Sequence, residues 1–315
     1  MKVYFDTNAY RFISDRGEVN EARRRIRSCR IDLVASGENL FETYAIADSA
    51  TRLRELSTIT TIATTFERQP VSFRQAKEVR FAFAHHRRAW IRPIRFTSRI
   101  DRFLKDHQQR WRDGCQGELP SAEAYSAYRA DAEAGVSQSR QAQKEMRALR
   151  VAELEATVAR RISDRMLLVR TGFDDPGTFW RLESLMAYDA ALLQAHPSSR
   201  DLADWLLPYL NGQALEFGGF VTFWLNDVRA EEVPLNRLAG TISYVQLNTK
   251  ITHGNSIDQL HACQAFEVDA LVTADRGLYD AIVASKSIGA AGSAKVCLVD
   301  RAASSALTEI ERALL

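Results

Sequence analysis

The chain has 315 residues, 46% hydrophobic and 26% charged, with a formal net charge of +2. This composition is ordinary for a soluble globular protein, argues against extended disorder, and allows one domain with a large addition or two domains. The most apolar stretch, 218–225, is far shorter than the ~20 residues that a membrane helix needs, so we expect no membrane contact.

The start of the chain lacks the basic and apolar regions of a signal peptide, so we expect a cytoplasmic protein. The cysteines are widely scattered at positions 29, 115, 263 and 297, with no Cys/His cluster nearby. This spacing argues against a zinc site and a disulfide framework.

The first 50 residues predict a strand at 3–5, a helix at 19–27, a strand at 31–35 and a helix at 40–48 capped by Ser36. Alternation of this kind is typical of a parallel sheet. Another helix follows, with Ser72 and Gln75 as a capping box, and runs toward His85.

Between about 87 and 235 the alternation stops, and apolar spacing predicts long helices. The patterns cover 146–169, a helix begun by Pro176, and a third helix around Leu202–Leu206 that closes before Asn211. We interpret 87–235 as an all-helical insertion.

The last 80 residues return to alternating elements. Ser256 and Gln259 repeat the capping-box pattern, and then come a strand at 270–273, a helix at 278–284, a strand at 295–299 and a terminal helix. Segments 1–86 and 236–315 therefore predict two halves of one α/β domain, a doubly wound parallel sheet.

Two acids follow apolar runs of this sheet: Asp6 follows Val3–Phe5, and Asp275 follows 270–274. Ligand sites in such sheets lie at the carboxyl ends of the strands. Glu42 and Asp258 lie on amphipathic helices that could reach the same crevice. Singly, Asp6 could be a cap, Asp258 a first-turn acid and Glu42 a solvated residue. Together, the four predict a Mg²⁺ or Mn²⁺ site, since these ions take oxygen ligands.

These residues resemble the PIN-domain nucleases in type and order. The matching segments are Asp6-Thr7-Asn8, Leu40-Phe41-Glu42, Asp258 near the start of a helix, and Thr273-Ala274-Asp275 after a strand. The resemblance covers roughly 1–85 and 240–315 and implies a PIN-like sheet interrupted by the helical insertion.

The resemblance implies that Asp6, Glu42, Asp258 and Asp275 are the metal-binding catalytic acids, with Asn8 and Thr273 as polar supporters near the metal or the scissile phosphate. Glu38, one helical turn before Glu42, competes for its role. His261 lies three residues after Asp258 and is either a substrate or supporting group or an ordinary packed histidine.

The implied activity is metal-dependent hydrolysis of phosphodiester bonds by an endonuclease, with RNA a commoner substrate than DNA and a toxin- or defence-related role. A haloacid-dehalogenase-type phosphatase is disfavoured, because Asn8 stands where its second aspartate is needed. The alternative is a catalytically silent PIN-like module that binds RNA or protein. A protein inhibitor and a homo-oligomer are the other partners considered.

Residues 85–113 hold nine arginines or lysines and three aspartates, 9 − 3 = +6, interleaved with Trp90, Phe96, Phe103 and Trp111. Basic and aromatic side chains together are typical of single-stranded nucleic-acid contact, and Arg87 and Arg88 are the candidate substrate-binding residues. The alternative is a helical surface with core aromatics and solvated arginines. A second basic cluster, at positions 23–25, 27 and 30, could extend this rim or bind an acidic partner.

Overall fold

A computed structural model describes residues 1–92, 97–116, 176–195, 200–247, 255–290 and 292–314, with single positions at 126, 130 and 137. The helix predicted at 146–169 therefore lies outside the described residues. None of the described helices combines the length and the apolar content that crossing a bilayer requires.

Five parallel strands form one sheet in the order β3-β2-β1-β4-β5. The strands are β1 (Lys2–Phe5), β2 (Asp32–Ala35), β3 (Thr65–Phe66), β4 (Ala270–Thr273) and β5 (Lys295–Leu298). The predicted α/β class and parallel sheet are confirmed. Tyr4 of β1 pairs with Val34 on one side and Leu271 on the other, so the central strand joins both ends of the chain.

Thirteen α-helices surround the sheet or form the middle of the chain, counting the described residues alone. They are α1 (Thr7–Asp15), α2 (Val19–Ser28), α3 (Gly37–Tyr44), α4 (Ser49–Ile62), α5 (Val71–His86), α6 (Thr97–Gln116), α7 (Pro176–Leu192), α8 (Arg200–Leu206), α9 (Phe217–Thr222), α10 (Pro234–Leu247), α11 (Asn255–Cys263), α12 (Arg276–Ser287) and α13 (Ala306–Leu314).

Apolar side chains of the strands alternate between two cores, one on each face of the sheet, as the period of a strand requires. Val3 and Phe5 pack on the face covered by α1, α2, α4 and α13. Tyr4 and Leu271 pack on the opposite face, against residues of α10, α11 and α12. Both faces are covered by helices, which is the doubly wound arrangement.

A third core lies among the helices of the middle segment and continues into α5, whose Val79 and Phe83 belong to it. Val71, at the start of α5, instead packs on the sheet side. α5 therefore connects the sheet with the helical core.

Helix α10 packs closely against α7. A Cβ atom at Gly240 would lie 2.6 Å from the Trp180 Cα, so only glycine permits this approach. At the start of α10, the Glu78 carboxylate accepts hydrogen bonds from the backbone N–H groups of Leu235 and Asn236. Burial outweighs these bonds and raises the pKa of Glu78 to about 7.

Several predicted boundaries are wrong. The helix predicted at 40–48 ends at Tyr44, and Asp48 accepts a hydrogen bond from the Thr51 N–H as the cap of α4. Helix α5 begins at Val71, one residue before the predicted cap Ser72, whose hydroxyl accepts a hydrogen bond from Trp205 instead. The Gln259 amide donates a hydrogen bond to the Ser243 hydroxyl, and the side chain of its predicted partner Ser256 lies outside the described residues.

Candidate metal centre

The candidate site lies where the strand order reverses, at the carboxyl ends of β1 and β4. From β1 the chain moves outward to β2 and β3, and it later returns to place β4 on the other side of β1. The helices that follow β1 and β4 pack on opposite faces of the sheet. In such sheets the crevice between two helices that diverge in this way is the usual ligand position.

Asp6 extends β1 into this crevice. Its backbone N–H still bonds the Val272 carbonyl, while its carboxylate caps α1 by accepting the Ala9 N–H at 2.7 Å. Asp6 is 2% exposed, and burial raises its pKa to about 6 against the lowering effect of the Thr273 hydrogen bond. A carboxylate held this way would be stabilised by a cation.

Thr273 links the ends of the two strands. Its hydroxyl donates to the Asp6 Oδ2 at 2.5 Å and accepts the Asp275 N–H at 2.9 Å. Asp275 in turn caps α12 by accepting the Leu278 N–H at 3.0 Å. The threonine therefore fixes one acid directly and the other through its backbone.

The other two acids come from helices. Asp258 of α11 is 9% exposed and accepts a hydrogen bond from the Gln246 amide at 3.0 Å. Burial is the main cause that raises the pKa of Asp258 to about 7, and the charges of Asp275, Glu42 and Asp6 raise it further. The charges of the other three predicted acids thus all act on Asp258.

Glu42 of α3 faces a buried histidine on α11. The His261 Nε2 lies 3.1 Å from the Glu42 Oε2, and its Nδ1 lies 2.6 Å from the Tyr4 hydroxyl, which also contacts Ser36 at 2.9 Å. Burial disfavours a charged imidazole, but Glu42 and Asp6 outweigh it and raise the pKa of His261 to about 9. As an imidazolium, His261 donates to both partners.

The same contact decides the state of Glu42. Burial opposes its ionisation, but the charge and hydrogen bond of His261 hold the pKa of Glu42 below its usual value. Glu42 is therefore ionised beside two carboxylates, Asp6 and Asp258, whose own pKa values are raised.

Glu38, the alternative to Glu42, faces elsewhere. The Gln264 amide bridges Glu38 at 3.3 Å and Glu67 at 2.9 Å. Burial and then the charge of Glu67 raise the pKa of Glu38. Glu42, and not Glu38, is among the main influences on Asp6 and Asp258, so the geometry favours Glu42 as the fourth acid.

The donors fit a hydrated hard cation. Within the described part of the chain, no three of these carboxylates offer oxygens that all lie within 4.8 Å of one another. Direct ligation by three or four acids would require movement. Mg²⁺ commonly takes one or two carboxylates and keeps several waters, which the remaining acids can accept as hydrogen-bond donors.

The remaining predicted residues divide between the site and its surroundings. Asn8 is half-buried in the first turn of α1, two residues beyond Asp6. Arg87 forms an ion pair with Asp227, and Arg88 is exposed beside it. Both arginines follow the end of α5, about 20 Å along that helix from Arg74, which bonds Gln264. In the described part of the chain, no hydrogen bond or ion pair joins either arginine to the four acids, and their contact with a substrate stays a prediction.

The aromatic residues of the basic stretch 85–113 differ in their exposure. Trp90 is 4% exposed and packs on Phe83, so the core interpretation is correct for it. Phe103 is 38% exposed on α6 with Arg102 and Lys105 exposed nearby, while the side chains of Phe96 and Trp111 lie outside the described residues. In the second basic cluster, Arg25 is paired with Glu21 and Glu311.

Sequence patterns missed two residues that shape the site. Tyr4 is predicted as a buried strand residue, but nothing in its spacing indicates that its hydroxyl meets His261. Gln246 lies at the end of α10 and carries no pattern that points to Asp258. No protein-family model, curated protein or solved structure matches the chain, so its function is inferred from the chemistry of this crevice.

Proposed function

We propose that the protein is a divalent-metal-dependent endonuclease of PIN-like type that hydrolyses phosphodiester bonds, with RNA preferred over DNA. The observation that carries the proposal is Asp258, a buried acid near the switch point of the sheet whose pKa is raised by burial and by the charges of Asp275, Glu42 and Asp6. Keeping these four acids together costs free energy in the absence of a cation, as the raised pKa values of Asp6 and Asp258 indicate.

Mg²⁺ or Mn²⁺ would be held by a subset of Asp6, Glu42, Asp258 and Asp275, directly or through water. When bound, such an ion lowers the pKa of a coordinated water and neutralises charge on the phosphate. Thr273 holds Asp6 in one orientation through its 2.5 Å hydrogen bond. His261 keeps Glu42 ionised and fixes its position relative to β1 through Tyr4.

Support for a nucleic-acid substrate comes from the exposed cations of the basic stretch. Arg88, Arg92, Arg102 and Lys105 are exposed, and exposed Phe103 offers a ring on which a base can stack. Arg87 is a weaker candidate than Arg88, because its guanidinium is already paired with Asp227.

One contact favours the second candidate, a silent PIN-like module that binds RNA or protein. The His261 imidazolium already neutralises Glu42, so part of the negative charge that would attract a cation is compensated within the chain. A silent module predicts RNA or protein binding without acid-dependent Mn²⁺ uptake.

The test is cleavage of mixed RNA and single-stranded DNA with Mg²⁺, Mn²⁺ or chelator. Asp6→Asn and Glu42→Gln are expected to lower the rate at least about 100-fold, because even indirect supports of a metal are worth 10–100-fold. Asp280→Asn is the matched control, since Asp280 is exposed and paired only with Arg276. Cleavage that is unchanged in both site variants, or that persists in chelator, would refute the nuclease. Mn²⁺ uptake that needs no site acid, with RNA binding intact, would favour the silent module.

A further inference from the structure

We propose a second cation site, formed by His85, His86 and Glu232, that takes a borderline divalent ion of the Zn²⁺, Co²⁺, Ni²⁺ or Cu²⁺ class. It is separate from the carboxylate crevice and independent of the proposed nuclease activity. Of the described residues, this is the one trio of histidine, cysteine or acidic side chains whose potential ligand atoms all lie within 4.8 Å of one another.

The three ligand atoms lie close enough together to surround one ion. The His85 Nδ1 lies 2.8 Å and the His86 Nε2 3.1 Å from the same Glu232 Oε1, and one ligand atom of each residue lies within 4.8 Å of the other two. Bonds of about 2.0–2.1 Å at tetrahedral angles place ligand atoms roughly 3.3 Å apart. An ion could therefore bind after small movements of the side chains.

The convergence of two adjacent histidines is unusual on a helix, because neighbouring side chains diverge by about 100°. Here it occurs at the end of α5, where His86 is the last helical residue and Arg87 leaves the helical conformation. The imidazole rings stack at 4.4 Å between centroids and 22° between planes. Both histidines thus present a nitrogen to the same carboxylate.

The donor set suits a borderline cation. Two imidazole nitrogens and a carboxylate are the ligands that borderline ions prefer, and His₂Glu with a water is a known zinc set.

Arg229 also positions the Glu232 carboxylate. The Arg229 N–H donates to the Glu232 Oε2 at 2.8 Å, and the Arg229 guanidinium lies 3.6 Å from the Oε1. These contacts hold the Glu232 carboxylate in one orientation, with both oxygens facing the histidines. Hydrogen bonds to ligating carboxylates are typical supports of metal sites.

The site joins two points that are distant in sequence. His85 and His86 end α5, just where the chain enters the helical middle, and Glu232 ends the 3₁₀ turn Ala230–Glu232 just before α10 returns toward the sheet. An ion here would link the residues at which the chain enters the helical middle segment to those at which it leaves, next to the ion pair of Arg87 and Asp227. Its remaining position is open to water, because His85 is exposed.

The test is a Co²⁺ titration of the chelator-treated full chain followed by visible absorption. Four-coordinate Co²⁺ with nitrogen ligands absorbs strongly, whereas a hydrated carboxylate site absorbs weakly. We expect a saturable band for one ion per chain, displaced by Zn²⁺. Glu232→Gln, which keeps an acceptor for Arg229, and His85→Gln, on an exposed side chain, should each weaken Co²⁺ binding at least tenfold.

Glu231→Gln is the matched control, with the same charge change in the same turn, and should bind like the wild type. Asp258→Asn should also leave the band unchanged. The proposal is overturned if the wild type shows no saturable band, if the folded His85→Gln and Glu232→Gln variants bind like wild type, or if the band depends on Asp258. Circular dichroism establishes that each variant is folded.

Discussion

Replacing Asp258 with asparagine is expected to stabilise the metal-free protein while abolishing the metal-dependent cleavage that we propose. The pKa of Asp258 rises from 3.8 to about 7 on folding, mainly through burial. A shift of about three units corresponds to about 4 kcal/mol of destabilisation at pH 8, where both states are ionised, at 1.36 kcal/mol per unit. Asparagine keeps the shape and the acceptor for Gln246 but carries no charge.

The sign follows from proton linkage. Because the folded state holds the proton more tightly, stability is lost as pH rises from about 4 through about 7. The advantage of Asp258→Asn over wild type should therefore be small at pH 4 and reach about 3–4 kcal/mol at pH 8. Urea unfolding in chelator measures it, with Asp280→Asn as the exposed control expected to stay within about 0.5 kcal/mol.

Adding Mn²⁺ should reverse the ranking, because an ion that binds only the folded wild type stabilises it by mass action. The reasoning is refuted if, at pH 8 in chelator, the Asp258→Asn variant is less stable than wild type by 1 kcal/mol or more. Such a result would mean that the carboxylate is already well compensated within the chain.

Three other substitutions test separate parts of the structure. Thr273→Val removes the hydroxyl that holds Asp6 and should weaken Mn²⁺ binding about tenfold or more in calorimetry, whereas Thr273→Ser should bind normally. Glu78→Gln should raise the free energy of unfolding by about 3 kcal/mol at pH 8 and by little near pH 4.5, because burial raises the pKa of Glu78 from 4.5 to about 7. A gain in stability that does not depend on pH would contradict this prediction. Gly240→Ala should lower the free energy of unfolding by about 1–3 kcal/mol in the same urea assay, because the added methyl group meets the backbone of α7. Gly212 has open space around it, so Gly212→Ala is the control and should cause no loss of stability through contact. Equal stability of the two variants would disprove the close packing.

Much of the sheet could be predicted because its strands are short apolar runs that end at polar residues. The predicted strand 270–273 has the bounds of β4, and the helix predicted to follow Pro176 is present as α7. The break between α3 and α4 was not predictable from periodicity, because the three- and four-residue spacing continues across it to Asp48. Strand β3 has only two residues, too few for a recognisable alternation.

The candidate site was predictable only in part, because sequence identifies strand-end acids but not their partners. Asp6 and Asp275 come directly after strands, so the topology of the sheet predicts that both lie at the carboxyl ends of the strands. The role of Tyr4 depends on a contact with a residue 257 positions away, and that of Glu232 on histidines about 146 positions earlier. Local patterns carry no information about such pairings.

The central position of β1 also determines when the site can form during synthesis. The partner on one edge of β1, strand β2, is synthesised about 30 residues after it. The partner on the other edge, strand β4, is absent until the chain reaches Ala270. At translation rates of about 5–20 residues per second, the 234 residues between β2 and β4 take roughly 10–50 s to appear. Throughout that interval the nascent chain carries Asp6 and Glu42 without Asp258 and Asp275. The four acids that we propose as the metal site are therefore all present only after most of the chain has emerged.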